Sequence, residues 1–543
     1  MYRIAVICVL ACTGAWAVSG QESTTFREFL VTDPPPVTFG DAALVDFDLD
    51  GDLDLILTGL VTTPDDPLGS PHAEHYSNDG ETAVEVLTPT GDTEEVPAVD
   101  FAASDGAREL VPVWKSAVAA ADFNGDSYPD VAVSGINSDG HAILYVYRNT
   151  RSSTDRFASR FLLEGLHSGD LGWGDSDNDG DFDLAACGYT DSGGAALRLY
   201  VNEGTQMTVS GGQTAFTGVG YCSLEWGDYD TDGDMDILVA GVDDGGNFQT
   251  FMYDNNGSGR FTKAGYHFEG FAWPAVAFGD LDVDGDLDVL ISGARLTPMM
   301  LEGVVKVYRN EGGSFVDASD LITGLFDTDL TPGRYDGSVG WADYENSGYP
   351  GFAITGAESP FASETTQLYK SARGGSLMKS SVDDFDGGIR GSAIWGDYDS
   401  DLDIDLLIFG EAPIDEATTI KVMTNDLLYG LRAPQPPSVA SADVSGRSVS
   451  FSWSGASDRQ TPEAGLTYNL RVGMTPGGSQ VLAAMADPET GVRRISWRGN
   501  VGHNTTWTLR DLEPGTYYWG VQSLDQTYSG SPFTVEQSFT VSN

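Results

Sequence analysis

Asp46-Phe47-Asp48-Leu49-Asp50-Gly51-Asp52-Leu53-Asp54, followed by the apolar run Leu55-Ile56-Leu57-Thr58-Gly59, decides the fold of this 543-residue chain. Acids stand at alternate positions, glycine at the sixth, and the run that follows has the length of one buried strand. One acidic turn is a solvated loop. This one returns six times, and a repeat at a fixed interval means stacked copies of one supersecondary unit.

The copies read DFNGDSYPDVAVSG from Asp122, DSDNDGDFDLAACG from Asp175, DYDTDGDMDILVAG from Asp228 and DLDVDGDLDVLISG from Asp280. DYENSGYPGFAITG from Asp343 and DYDSDLDIDLLIFG from Asp397 complete the series. Successive starts lie 76, 53, 53, 52, 63 and 54 residues apart. A unit near 53 residues suits a sheet of four strands. The long first interval carries an acidic, Pro/Thr-rich insert, Thr62 to Glu95, expected as an extended loop with His72 and His75 at the surface. An aromatic and a small residue precede most motifs, as in Trp173-Gly174, Trp226-Gly227, Phe278-Gly279, Trp341-Ala342 and Trp395-Gly396. A second signature, Tyr-x-Asn, follows at Tyr76/Asn78, Tyr147/Asn149, Tyr200/Asn202, Tyr253/Asn255 and Tyr308/Asn310, and fades in the last units at Tyr369 and Asn425. Sheets of this kind cannot bury both faces alone. Packed radially they cover one another and leave few edges, so the expected fold is all-β, a seven-bladed β-propeller.

Three features recurring in register from Phe26 to Leu431 resemble the FG-GAP/VCBS repeats of integrin α-subunit propellers and of many secreted bacterial proteins. The resemblance implies a closed propeller with calcium in hairpin loops on one rim, and a surface that binds extracellular proteins or glycans.

The loop chemistry supports the ion independently. Ca²⁺ takes six to eight oxygen ligands. Carboxylates at positions 1, 3 and 5, the backbone carbonyl at 7 and the acid at 9 surround a concavity, and glycine at 6 allows the turn. The candidate sets are Asp46, Asp48, Asp50, Asp52, Asp54; Asp175, Asp177, Asp179, Asp181, Asp183; Asp228, Asp230, Asp232, Asp234, Asp236; and Asp280, Asp282, Asp284, Asp286, Asp288. Asp122, Asn124, Asp126, Tyr128 and Asp130 form a set with Ser127 in place of glycine. Asp397, Asp399, Asp401, Asp403 and Asp405 form another, strained by Leu402 at the glycine position. The loop at Asp343 has Ser347 at 5 and Gly351 at 9 and is expected to hold no ion. The expectation is about five to six Ca²⁺ per chain. An EF-hand needs Glu at position 12; Leu57, Ala186, Val239, Ile291 and Ile408 stand there, so that reading fails.

Composition bounds the partners. Asp plus Glu total 82 against 28 Lys plus Arg, a net charge of −54. Nucleic acid and anionic membranes are excluded as partners, and the loops alone do not account for the excess. Residues 1–20 read as a signal peptide, with Arg3, an apolar run and Ala15-Trp16-Ala17; a lipid anchor on Cys12 is the minor alternative. No later stretch is long and apolar enough to span a membrane. Cys187 and Cys222 lie in neighbouring repeats, either bonded or as two buried thiols.

The propeller is assigned to residues 21–432, and Ala433-Pro434-Gln435-Pro436-Pro437 reads as a stiff linker. Residues 433–543 show alternating strands at Val449 to Trp453, Thr467 to Val472 and Tyr517 to Ser523, with Trp453 in the core. Leu512-x-Pro514-x-Thr516-x-Tyr518 resembles the tyrosine corner of fibronectin type III β-sandwiches, which implies a separate spacer or interaction module. There is no Gly-x-Ser-x-Gly elbow and no His-Glu-x-x-His motif. Three functions are therefore weighed: a secreted or cell-surface calcium-binding protein that binds an extracellular protein or glycan, a carbohydrate-active enzyme on a propeller scaffold, and a structural surface-layer component. The first is preferred, with no catalytic residue assigned.

Overall fold

The computed structural model describes residues 26–32, 34–63, 65–87, 93–103, 110–152, 155–157, 159–204, 206–210, 216–298, 300–323, 336–357, 365–372, 375–380, 384–411, 418–427 and 432–542. The leader expected at residues 1–20 and Cys12 lie outside them. The protein is all-β, with two short 3-10 turns at Ser319–Leu321 and Glu463–Gly465 as the helices among the described residues.

Each motif loop joins an inner strand to a buried second strand, and the sheet then meanders outward. Around Asp228 the order is Gly220–Gly227, Asp236–Val242, Phe248–Asp254 and Thr262–Lys263, all antiparallel. Around Asp280 it is Ala272–Gly279, Asp288–Leu296, Leu301–Asn310 and Phe315–Asp317. The second strands have no exposed face over their first six residues (Asp236–Gly241, Asp288–Gly293, Asp405–Gly410), which is why their sequence is a continuous apolar run rather than an alternation. Neighbouring sheets share cores: Leu238 and Met252 of one pack against Phe278, Val289 and Ile291 of the next. Each such side chain contributes roughly 1.5–3 kcal/mol by leaving water.

The inner strands follow one another round a closed ring. Ala42–Val45 touches Val113–Ala121, which touches Ser159–Gly174, and contact passes through Gly220–Gly227, Ala272–Gly279, Val339–Ala342 and Ile389–Gly396 back to Ala42–Val45. The ring is tied by its first strand. Phe26–Thr32 pairs antiparallel with Thr419–Asn425, so the first described strand completes the last sheet of the ring.

The aromatic-small pairs are the joints of the ring. Trp226 Nε1 donates to Gly172 O at 2.9 Å in the preceding unit, and Trp395 Nε1 to Gly340 O at 3.0 Å. The indole of Trp226 lies flat on Gly174, where a Cβ would come within 2.5 Å of the ring. A disulfide between Cys187 and Cys222 adds a covalent joint between adjacent sheets, which resolves the thiol question.

The insert after Asp46 differs from expectation. It is a hairpin, Asp66–Leu87 against Thr93–Ala103, rather than a loop. Its strands extend the sheet of the first unit, so His75 is 3% exposed, packed edge-on against Phe47 and Phe157, and is not a surface residue.

Residues 432–542 form two facing three-stranded sheets, Ala440–Ser445, Ser448–Trp453, Thr506–Leu509 and Thr467–Gly473, Gly515–Leu524, Gln537–Val541. Trp453, Tyr468, Trp507 and Trp519 fill the space between them. The corner tyrosine is Tyr517, not Tyr518: Tyr517 is buried and its hydroxyl donates to Glu513 O at 2.6 Å. A step of one residue along a strand changes the face, so only one of the pair can turn inward.

This domain does not hang on a linker. It docks over the rim that carries the acidic loops. Ile495 bridges Val45, Asp343 N donates to Gln526 O at 3.0 Å, and Arg510 N donates to Asn178 O at 2.7 Å. Arg498 enters the ring's channel, pairs with Glu225 and donates to Phe278 O at 3.0 Å, while Tyr528 donates to Trp341 O at 2.6 Å.

Candidate metal centres

The backbone of most loops is set by the first and sixth positions; in the loop at Asp46 the first carboxylate takes Leu49 N instead. The position-1 carboxylate accepts the N–H groups of positions 5 and 6: Asp228 takes Asp232 N at 3.1 Å and Gly233 N at 2.9 Å, and Asp280 takes Asp284 N and Gly285 N, both at 3.0 Å. Position 6 is left-handed throughout. Gly233 and Gly285 meet this without strain, whereas Ser127 at φ 72° and Leu402 at φ 77° carry a Cβ through it. The strain expected at Leu402 is therefore present, and the carboxylates beyond it keep their places.

Five loops bring three carboxylate oxygens within 4.8 Å of one another: Asp46/Asp48/Asp50, Asp175/Asp177/Asp179, Asp228/Asp230/Asp236, Asp280/Asp282/Asp288 and Asp397/Asp399/Asp405. Asp232, Asp284 and Asp401 at position 5 accept the position-7 N–H of Asp234, Asp286 and Asp403. The loop at Asp122 is built differently. Asn124 donates to Asp130 Oδ2 at 2.6 Å, and Asp126 faces Arg148 and Arg151 at 3.5 and 3.3 Å; Arg151 also lies over the Tyr128 ring. In the loop at Asp343, Ser347 Oγ and Gly348 N donate to the carboxylate.

The fit to a cation rests on buried acceptors that nothing among the described residues satisfies. Asp48 Oδ1, Asp52 Oδ1, Asp175 Oδ1, Asp181 Oδ1, Asp230 Oδ1, Asp282 Oδ1 and Asp403 Oδ1 have no hydrogen-bond partner, and neither has Asn124 Oδ1. A buried unpaired acceptor costs about 1–3 kcal/mol, more when charged. These atoms fall in five acidic loops and in the loop at Asp122, and none in the loop at Asp343. The donors are all oxygen, which suits a hard cation of calcium's kind. Burial, then the neighbouring carboxylates, pushes Asp52 up to about 8 and Asp181 up to about 10; burial, then Asp179, Asp183 and Asp177, holds Asp175 well above the usual range. The position-7 side chains thus each leave an unsatisfied oxygen in three loops, a feature the alternation of acids did not reveal because only their carbonyls were considered.

Position 9 has a second task. Asp54, Asp130, Asp183, Asp236, Asp288 and Asp405 each accept the backbone N–H of the Tyr-x-Asn asparagine, at 2.6–3.1 Å. That asparagine then donates Nδ2 to position 2 of the preceding loop: Asn149 to Phe47 O, Asn202 to Phe123 O, Asn255 to Ser176 O, Asn310 to Tyr229 O and Asn425 to Tyr344 O. Asn78 reaches Tyr398 O at 3.0 Å and carries the chain of bonds across the closure. Asn425 therefore does what its fading signature concealed. The gap is at the loop of Asp343, where Gly351 replaces the acid and Ser371 the asparagine. Their joint loss was visible in the sequence and is the signal that ties the two motifs together.

The docked domain touches these loops directly. Asn504 Nδ2 donates to Asp228 Oδ2 at 2.7 Å, His503 lies 3.8 Å from Asp280, and Arg494 Nη1 donates to Ser127 O at 2.9 Å.

The FG-GAP-like repeat family matches residues 175–239 and 228–291, and the FG-GAP repeat family matches residues 116–142. No curated protein matches. Among solved structures, a lectin of Aleuria aurantia in complex with alpha-methyl-L-fucoside is similar at 11% identity and TM-score 0.32, over 65% of this chain and 97% of the lectin. The extracellular domain of a putative hybrid two-component system of B. thetaiotaomicron is similar at 8% identity and TM-score 0.27, over 92% of this chain and 73% of that one. Likenesses of this depth fix neither the number of sheets nor a ligand.

Proposed function

We propose that this chain is an exported calcium-binding protein that acts by binding an extracellular protein or glycan rather than by catalysis. Its ring is read as a seven-bladed β-propeller and its C-terminal region as a fibronectin type III-like sandwich. The observation that carries the reading is the set of buried, unsatisfied carboxylate oxygens recurring in loop after loop around one rim. Calcium there is structural. Held by the position-1, -3 and -5 or -9 carboxylates, it supplies the positive charge that lets those acids stay ionised and close together. The chain's own residues do the rest: the asparagine bonds carry each loop's shape to its neighbour, and the docked domain covers the rim.

Export agrees with the Cys187–Cys222 disulfide. Among the described residues no helix is long and apolar enough to cross a membrane.

The test is a binding screen of the full chain against immobilised glycans and extracellular proteins, with calcium and with EDTA. Calcium-dependent capture is expected, without release of reducing ends or unsaturated products from polysaccharides. Release of such products would replace the binding reading by a carbohydrate-active enzyme. Flat calcium titrations would remove the ions from it.

A further inference from the structure

The ring's channel is a blind pocket, and its floor comes from the other domain. The inner strands enclose about 490 Å³, closed at one end by Ser496, Trp497, Arg498 and Tyr528 of the docked sandwich. That volume lies within the ~300–1,000 Å³ of small-molecule sites. The floor holds an anomaly: Trp497 is 48% exposed although it sits inside the channel. Trp226 and Trp395 of the ring, by contrast, are buried in joints between sheets. Trp497 makes no such joint and presents its ring to the lumen.

The walls above it are polar and fixed. Asp41 accepts Val118 N at 2.8 Å and Asp170 accepts Leu224 N at 2.9 Å, each from the neighbouring inner strand. Ser223 Oγ accepts Val276 N and Ser338 Oγ accepts Ala393 N in the same manner. These groups bridge strands that have no backbone ladder between them, so their positions are set by the ring itself, and they line the channel.

An aromatic platform below carboxylate and hydroxyl acceptors matches two ligand chemistries, an organic cation or a hydroxylated ring. Arg498 decides between them. Its guanidinium lies 5.3 Å from the centre of the Trp497 ring. The protein's own cation, its charge balanced by Glu225, therefore already fills the place over that indole that a cationic ligand would take. A neutral ring stacks its C–H face on the indole and donates hydroxyls to the carboxylates. We infer that the channel, floored by Trp497, is a binding site for a neutral sugar ring. This rests on the glycan-binding reading above and narrows it to one place and one ligand class.

The probes are glucose, galactose, mannose, fucose, N-acetylglucosamine and N-acetylgalactosamine, added to the calcium-loaded full chain and followed by saturation-transfer NMR, with methylguanidinium as the cationic control. At least one sugar is expected to saturate. Trp497→Ala and Asp41→Asn should each weaken it at least tenfold, about 1.4 kcal/mol, and Trp497→Phe should retain it. Because Trp497 is half exposed, its variants should melt with the wild type; Asp41→Asn gives an independent reading if one does not. Saturation by none of the six up to about 50 mM, roughly the weakest binding worth calling specific, overturns the inference, as does saturation by methylguanidinium instead. Sugar binding that both variants leave unchanged also overturns it while leaving glycan binding elsewhere on the protein intact.

Discussion

Asn255→Ala tests whether the loops are held as a ring or one at a time. Asn255 is 3% exposed, and its Nδ2 donates to Ser176 O in the preceding loop and to Met235 O in its own, both at 2.9 Å. Truncation removes these two bonds and the one that Asn256 N donates to Asn255 Oδ1 at 2.8 Å, each worth ~0.5–1.5 kcal/mol net, and an orphaned carbonyl costs ~1–3 kcal/mol. Ser176 O keeps one partner, since Gly259 N also donates to it at 2.8 Å, so the cost falls toward the lower end. The expected destabilisation is about 2 kcal/mol. Ser371→Ala is the internal control. Ser371 stands at the same place in the unit that lacks the bond, and its buried Oγ has no partner. Its removal should shift stability by less than about 0.5 kcal/mol, or raise it. Urea unfolding at saturating calcium, followed by tryptophan fluorescence, reads both; midpoints are compared at a common slope because two domains unfold. Equal shifts for the two variants would refute the account of a loop-to-loop chain of bonds.

Asp179→Ala, in a loop with a carboxylate triad, should lower the calcium stoichiometry by one and cost about 2–3 kcal/mol at a 100-fold excess over Kd; Asp343→Ala should leave stoichiometry unchanged, and calorimetric titration distinguishes them. Metal analysis of dialysed, calcium-saturated protein should give five to six ions, consistent with five triads and the loop at Asp122, and two or fewer would contradict the donor geometry. Burial, then Asp170, pushes Asp41 up from 3.8 to about 7, so the folded chain holds a proton that the unfolded chain has lost. Stability from this group is therefore greatest at low pH and declines as pH rises through about 7. From pH 6 to 8 the wild type should lose roughly 1 kcal/mol, discounted for water in the channel, that Asp41→Asn does not lose in the same urea assay. Tyr517→Phe should destabilise the sandwich by about 1 kcal/mol and Tyr518→Phe by much less, read from the melting of the full chain.

The repeat made the sheets legible, because each apolar run after an acidic loop has the length and composition of a strand buried on both faces. The aromatic-small pairs were visible too, but not their use: that Trp226 needs Gly174 from another unit is a fact of packing between segments about fifty residues apart. The hairpin at Asp66–Leu87 was hidden by its acids and prolines, which speak for a loop until a neighbouring strand supplies hydrogen bonds. His75 was misjudged for the same reason. The docking of the sandwich left no periodic trace. It depends on single residues such as Arg498 and Tyr528, each ordinary in its own stretch of sequence.

The pairing of Phe26–Thr32 with Thr419–Asn425 sets a clock on biosynthesis. The Phe26–Thr32 strand must wait for its antiparallel partner almost four hundred residues later. At ~5–20 residues per second, synthesis alone imposes a delay of roughly 20–80 s. During that interval the edge of the last sheet of the ring does not exist, and Phe26–Thr32, paired only through Leu30–Thr32 with Thr93–Ala103, keeps one edge open to the wrong neighbour. A chain that pauses before Asn425 therefore offers its first strand to the Thr419–Asn425 edge of any copy whose own first strand has not yet docked. Exchange of that strand between molecules is then the natural failure, giving closed dimers whose rings are each sealed by the other's N-terminus.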